Sequence, residues 1–293
     1  MTPHQLRSFL AVAEMGSVRE AANALFVTQP AVSAAVAALE RELGVALLER
    51  DGRGVRLSDA GRTLADYAAR IEGLWQETAV AVNASADPEK GTLRLAAVTT
   101  AGEHVVPSLL SSFRREHPHV RVDLEVANRR RVWEALDRSQ VDLAVAGRPP
   151  EPGGFEVRAT SAHQLVLVSA AASKPAALDV RALAEQTWLV REPGSGTRLS
   201  ADELLAELGI NPLRLTLGSN GAIRECALVG LGVTLLPRAS VERELAEGSL
   251  IEWEVEPLPL QRAWHLVVCS GRTLPATAQM FVDHVIGLAE WSR

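Results

Sequence analysis

The sequence is poor in cysteine. Cys226 and Cys269 are too few and too far apart for a disulfide framework or a zinc site, and they fit a reducing compartment. Long apolar runs are also missing: the longest uncharged one, residues 228–237, is about half of the roughly 20 residues a membrane-spanning helix needs. The opening MTPHQLRSFL holds no apolar signal-peptide core, so a soluble, cytoplasmic chain with no membrane partner is expected. Lysine is almost absent, since all but Lys90 and Lys174 of the 30 basic residues are arginine. Positive charge is not in excess either. The net charge is −6, and residues 1–58 balance six arginines against six carboxylates, so any contact with DNA must come from where the arginines sit. What is present is a globular composition, 47% hydrophobic and 23% charged over 293 residues, which excludes disorder, collagen-like repeats and a coiled-coil rod and leaves room for two or three domains.

The first 86 residues read as helices with well-marked ends. Leu6, Phe9, Leu10 and Ala13 recur at helical spacing behind Thr2 and Pro3, and Gly16 stops this helix. Ser17-Val18-Arg19-Glu20 has the form of a capping box and opens a second helix of about eight residues. After the turn Phe26-Val27-Thr28, a third helix is expected with Thr28 as N-cap, Pro30 in its first turn, Val32, Val36, Leu39 and Leu43 as its buried stripe, and Gly44 as its end. Two short helices joined by a tight turn make a helix-turn-helix layout. The face opposite the stripe carries Gln29, Ser33, Ala34 and Ala37. Gln can bond an adenine through two hydrogen bonds, Ser can bond either partner of a base pair, and Ala can touch a thymine methyl.

Leu47 through Leu57 reads as a β-hairpin, with Asp51-Gly52 and Arg53-Gly54 at the tip, and places Arg50, Arg53 and Arg56 where they could lie over phosphates. From Ser58 to about Ala86 a long helix carries Leu64, Ala68, Ile71, Trp75, Thr78 and Val82 as a heptad seam. At 1.5 Å per residue it is roughly 40 Å long, too long to pack wholly on a domain of this size, so it is expected to dimerise. Asp87-Pro88-Glu89-Lys90-Gly91 is the expected hinge.

Beyond Gly91, strands alternate with helices. Strands are expected at 92–98, 120–126 and 142–146, with helices at 105–115 and 130–138; this is the grammar of a parallel α/β sheet. The second half repeats it with strands at 164–169, 188–190, 214–217 and 233–236 and helices at 197–208 and 222–229. A strand at 265–269 and a helix at 276–291 close the chain. The expected boundaries are a winged helix-turn-helix at 1–58, a linker helix and hinge at 59–90, and an α/β domain at 91–293. That domain would divide into one lobe of about 91–162 with 266–293 and another of about 163–265. A ligand cleft between the lobes would gather strand ends and helix N-termini, which bind anions. Thr99, Thr100, Gly147, Arg148, Ser195, Gly196, Thr197, Ser219 and Asn220 fall at such edges.

Ala21-Ala22, Val27-Thr28-Gln29-Pro30-Ala31-Val32-Ser33, Leu39-Glu40, Leu43-Gly44, Glu49-Arg50 and Leu57-Ser58-Asp59-Ala60-Gly61 together closely resemble the N-terminal signature of LysR-type transcriptional regulators. The resemblance implies a winged helix-turn-helix, a linker-helix homodimer assembled as a dimer of dimers, and an effector domain like periplasmic binding proteins. It also implies double-stranded DNA and RNA polymerase as partners, a small-molecule effector and no cofactor. By position it assigns Thr28, Gln29, Pro30, Ser33, Arg50 and Arg53 to the DNA-facing surface. Leu48 stands where a Phe is usual, which concerns packing under the wing, and Ala34 and Ala35 stand where many members carry a polar or basic residue. The stretches Val98-Thr99-Thr100, Gly147-Arg148-Pro149-Pro150 and Arg191 through Arg198 are similar to the branch that controls Calvin-cycle carboxylase operons, whose effectors are often phosphorylated metabolites or a reduced nicotinamide nucleotide.

Other chemistries find little support. No basic pattern flanks either cysteine to make a redox thiol. His104, His117, His119 and His163 lack a metal-ligand spacing and are expected at the surface or at helix ends. Gly230-Leu231-Gly232 precedes a strand and is no dinucleotide fingerprint, and Gly194-Ser195-Gly196 lacks the spacing of a nucleophile elbow. The expectation is a DNA-binding regulator responding to a small anionic metabolite, and not an enzyme. The alternative is a solute-binding or enzymatic α/β protein with a helical oligomerisation arm.

Overall fold

The computed structural model describes residues 1–51, 54–175 and 177–293, with the side chains at 76, 77, 79–81 and 83–86 outside that description. The chain divides into two compact units, residues 1–82 with 137–140 and residues 83–136 with 141–293. No single helix among the described residues is long and apolar enough to cross a membrane.

The first unit contains α1 (Pro3–Met15), α2 (Val18–Ala24), α3 (Gln29–Leu43), the hairpin β1 (Leu48–Asp51) and β2 (Gly54–Leu57), and α4 (Asp59–Ala86). Its helix ends are written locally. Thr2 caps α1 in a complete capping box, accepting from the Gln5 amide while Gln5 Oε1 receives the Thr2 amide at 2.7 Å. At α2 only the Ser17 half of the expected box forms among the described residues, Ser17 Oγ accepting from the Glu20 amide at 3.4 Å. Gly16 and Gly44 end α1 and α3 in the left-handed region, at φ +63° and +70°.

Val32, Val36 and Leu39 of α3 are buried against Leu6, Phe9, Val12, Ala21 and Leu47, and Ala35 is buried as well. Leu43, expected in this stripe, is 41% exposed. The last turn of α3 overshoots the core, and Glu40 takes over there by accepting the amides of Leu47 and Leu48 at 2.8 and 3.2 Å, which ties the wing to α3. Leu48, the departure from the usual Phe, is half-buried against this core. The hairpin pairs Leu48 with Leu57, and the Val55 amide bonds the Gly16 carbonyl at 3.0 Å. A Cβ on Gly61 would lie 2.0 Å from the Leu47 carbonyl oxygen, so only glycine lets α4 start against the strand that leads into the wing.

The expected heptad seam divides its labour. Leu64 and Ala68 pack into this unit's own core, whereas Ile71, Trp75 and Val82 are exposed, Trp75 by 58%. Tyr67 and Leu74 are exposed on the same helix.

The second unit has, in chain order, β3 (Thr92–Val98), α5 (Thr99–His104), α6 (Val106–Glu116), β4 (Arg121–Ala127), α7 (Arg129–Asp137), β5 (Leu143–Ala146) and β6 (Phe155–Ala170). There follow α8 (Val180–Glu185), β7 (Trp188–Arg191), α9 (Gly196–Glu207), β8 (Arg214–Leu217), α10 (Asn220–Leu228) and β9 (Thr234–Pro237). The chain closes with α11 (Glu242–Ala246), β10 (Leu250–Glu252), β11 (Leu260–Cys269) and α12 (Ala276–Ile286). The main sheet runs β10-β6-β11-β5-β3-β4, with β9 also on β6, and β7 pairs with β8 in a small sheet of its own.

The sheet is mixed and not all parallel as the β/α alternation implied. Only β3 with β4 and β3 with β5 are parallel within it, while β11 runs antiparallel to both β5 and β6. The reason is the length of two strands. β6 spans Phe155–Ala170 where only 164–169 was expected, and β11 spans Leu260–Cys269 where only 265–269 was expected. They pair from Leu260 with Leu165 to Cys269 with Phe155 and carry the chain out of one lobe and back again. The first lobe is built on Leu93, Leu95, Phe113, Leu143, Phe281 and Val282, the second on Leu167, Leu183, Trp188, Leu204, Val233 and Trp253. Terminal helix α12 ends at Ile286 and not near Trp291. The chain turns after Gly287, buries Trp291 in the first core, and Ser292 bonds Thr160 of β6 through both backbone groups at 2.6 and 2.9 Å. Just before β5, the buried Asp142 carboxylate accepts from the Arg94 amide at 3.1 Å and pairs with the Arg94 guanidinium.

Candidate functional site

A cleft of about 720 Å³ opens between the two α/β lobes, with β6 and β11 along its back. The first lobe contributes the start of α5 with Thr99 and Thr100, the start of α7 with Asn128 and Arg129, and the turn Gly147-Arg148 after β5. The second contributes Arg191 at the end of β7 and the start of α9 with Ser195, Gly196 and Thr197. Seven of the nine residues expected at the cleft therefore line it together. Ser219 and Asn220 do not line it. Ser219 instead caps α10, its Oγ accepting the Ala222 amide at 3.1 Å, and Asn220 is buried between Arg191 and Thr100.

The cleft is lined by more arginine than carboxylate, although Arg148 also pairs with Glu151 at 2.8 Å. Arg129, Arg148, Arg191 and Arg262 line it, and the single carboxylate among the lining residues, Glu203, accepts from Arg262 at 3.3 Å. Ser195 caps α9 without a side-chain hydrogen bond, so the positive end of a twelve-residue helix is also presented here. Arg191 is the most enclosed of the four, 3% exposed. Its Nε and Nη2 hold the Glu192 carboxylate at 2.7 and 2.9 Å, which keeps that carboxyl below its ordinary range.

The sequence reading missed Asn128, Arg129, Arg191, Arg262, His163, Trp264 and His265 among the lining residues. Arg191 did leave a signal, as a charge ending the otherwise apolar strand Trp188–Arg191. His163 corrects its assignment to the surface. It lies midway along β6 with its ring stacked on Trp264, centroids 4.1 Å apart and planes 10° apart. Burial lowers its pKa to about 4, helped by the nearby charges of Arg262 and His265. His265 is lowered chiefly by burial too. Both rings are thus neutral at neutral pH and leave the positive charge to the arginines.

His163 makes stability depend on pH. Its folded pKa of about 4 lies below the ordinary histidine value of 6.5, so the unfolded chain binds the extra proton first as pH falls. Its contribution is present above pH 6.5 and is lost as pH drops towards 4. Thermal unfolding between pH 7 and 4 should show a Tm fall in the wild-type protein that is shallower in H163Q; parallel curves would refute this.

On the first unit, Thr28 caps α3, its Oγ1 accepting the Ala31 amide at 3.4 Å. Gln29, Pro30, Ser33, Ala34 and Ala37 form an exposed face opposite the buried stripe, whereas Ala35 is buried and reads nothing. Arg50 is exposed on β1 opposite Val55, and Arg56 on β2 pairs with Glu49. Arg53 lies outside the described residues. Phe26, in the turn before α3, has φ +56° and is 96% exposed.

Comparison with known proteins covers both units. The family described as "Bacterial regulatory helix-turn-helix protein, lysR family" matches residues 3–62, and "LysR substrate binding domain" matches residues 86–289. The HTH-type transcriptional regulator CbbR of Rhodospirillum rubrum is 36% identical over 95% of this chain and 93% of its own length. The RuBisCO operon transcriptional regulator of Acidithiobacillus ferrooxidans is 34% identical over 97% of this chain and 93% of its own. Among solved structures, the Synechocystis CcmR regulatory domain in complex with 2-PG superposes with a TM-score of 0.61 at 29% identity, covering 66% of this chain and 94% of that one. These relatives are regulators and not enzymes. The chain belongs to the LysR family of bacterial regulators, and is a DNA-binding transcriptional regulator with an effector-binding domain.

Proposed function

We propose that the effector is a small acid with negative charge at both ends, bound between the lobes, and that it changes how the DNA-binding heads are spaced. The observation that carries this reading is four arginines lining the cleft against one lining carboxylate, Glu203, which is already paired; Glu151 and Glu192, held by Arg148 and Arg191, are not among the lining residues. Arg129 and Arg148 approach from the first lobe, Arg191 and the start of α9 from the second, so a two-headed anion binds best when the lobes stand at one separation. That difference in affinity is the energy available to shift the protein between states. The 2-PG in the CcmR relative supports a short phosphorylated acid, and the names of the relatives support a RuBisCO-type operon as target.

The domains follow as residues 1–58 for DNA binding, 59–90 as linker and 91–293 for the effector. Thr28, Gln29, Pro30, Ser33, Arg50 and Arg53 face the DNA, with Gln29 reading a base and the arginines meeting phosphates. The exposed Tyr67, Ile71, Leu74 and Trp75 of α4 support a homodimer through this helix, doubled to a tetramer as the family resemblance implies. Cytoplasmic action with RNA polymerase at activated promoters completes the reading.

Footprinting of genomic fragments at two salt concentrations, with and without 2-PG, tests it. A roughly two-fold-symmetric footprint that shifts with 2-PG is expected. Q29A should relax base preference, while R50A should weaken all sequences alike and lower the salt slope by about one. Equal losses in both variants would refute this division, and a footprint indifferent to every short phosphorylated acid would refute the effector class.

A further inference from the structure

Thr100 and Asn220 belong to different lobes, yet Asn220 Nδ2 lies 2.7 Å from Thr100 Oγ1, and the two residues are only 4% and 6% exposed for Asn220 and Thr100. On its other side the Asn220 carboxamide accepts from Arg191 Nη1 at 2.8 Å. Arg191 in turn grips Glu192, so one buried chain of bonds runs Glu192, Arg191, Asn220, Thr100.

The polarity of that chain is set by chemistry. A guanidinium can only donate, so the Asn220 oxygen must face Arg191 and its NH2 group must face Thr100. Thr100 Oγ1 is then the acceptor, and its own hydrogen points elsewhere. No hydrogen bond donated by the Thr100 hydroxyl occurs among the described residues, and Thr100 lines the cleft. That hydrogen is free for a ligand, and only an acceptor can take it. Arg191 is in the same condition: three of its N–H groups are used by Glu192 and Asn220, which leaves two of five.

We propose that Asn220 is the positioning residue of the effector cleft: it orients Arg191 from one side and fixes Thr100 as a hydroxyl donor from the other, so that both lobes present donors to one anionic group. The proposal rests on the anion reading of the cleft given above. It explains why Asn220, expected to touch the effector, lies beneath the cleft surface. Its role is to determine which way its neighbours' hydrogens point.

N220D separates this role from a merely structural one. The new carboxylate has the same shape and still accepts from Arg191, but it accepts from the Thr100 hydroxyl as well. The link between the lobes survives, while the donor is turned away from the cleft and the Arg191 charge is offset. Full-length wild-type, N220D, T100V, T100S and N220D/T100V proteins would be titrated calorimetrically with 2-PG and with inorganic phosphate, and their Tm measured. N220D is expected to keep or raise its Tm and to lose about ten-fold or more in 2-PG affinity. T100V should lose several-fold in the wild-type background and nothing further in N220D, and T100S should bind like wild type. Binding by N220D within two-fold of wild type overturns the proposal while leaving the anion reading intact, as does an equal cost of T100V in both backgrounds. Uptake of neither probe by the wild type overturns the anion reading and the proposal with it.

Discussion

Replacing Arg191 by methionine is expected to weaken anion binding by roughly 100-fold and to abolish the response of the footprint to 2-PG. The size follows from a charged hydrogen-bonding group worth about 3 kcal/mol in an enclosed site. Arg191 is 3% exposed and is held by Glu192 and Asn220 before any ligand arrives, so little ordering remains to oppose binding. Methionine keeps most of the side-chain volume and removes the charge. R191K keeps the charge but lacks the planar fork, cannot grip Glu192 through two bonds, and should fall between the two. Operator binding without effector should change little, because the face proposed to read bases is on α3. The comparison needs calorimetry with 2-PG and footprinting on the same preparations; an affinity within two-fold of wild type would show that the charge lies elsewhere.

The second large effect concerns stability. Asp142 accepts three bonds from Arg94, one from its amide and two from its guanidinium, where β3 and β5 lie side by side. Its side chain is 1% exposed and that of Arg94 11%. D142A would take from the enclosed Arg94 guanidinium the carboxylate and the bonds that Asp142 supplies, and breaking a buried pair in this way typically costs about 3–5 kcal/mol. Chemical denaturation followed by tryptophan fluorescence should therefore show a lower midpoint for D142A. Restoration by D142A/R94M would identify the broken Asp142–Arg94 pair as the cause, and a loss below about 1 kcal/mol in D142A would refute it.

These two residues also show what sequence reasoning can reach. The first unit was legible because each helix carries its own signals: Thr2, Ser17 and Thr28 begin helices, and Gly16 and Gly44 end two of them. The signals act over three or four residues. The Gln29 to Ser33 face was equally readable, since it is the complement of a periodic apolar stripe. The crossover strands were not. The leading part of β6, up to His163, carries Glu156, Arg158 and Thr160, and the continuous apolar run is only Leu165–Val168, because the strand leaves a half-exposed lobe edge for a core buried on both faces. Missing the leading parts of both strands meant missing His163 and Trp264. Asn220 was placed at the cleft for a sound local reason, the start of a helix, but its partners stand 29 and 120 residues away in sequence and no spacing rule relates them.

The two crossover strands also set the order in which the chain can fold as it is synthesised. The core of the second lobe comes from one continuous stretch, from Leu165 in β6 to Leu260 at the start of β11, so it can close while the ribosome is still working. The first lobe has to wait. Its sheet needs β11 beside β5, and its core needs Phe281 and Trp291, more than 100 residues after Leu93 and Leu95. Until β11 has been made and has emerged, the edge of β5 that it will cover has no strand against it. A truncation that removes only α12 and Trp291 strips Phe281, Val282 and Trp291 from the first core, and should yield a protein with a folded second lobe and an aggregation-prone first one.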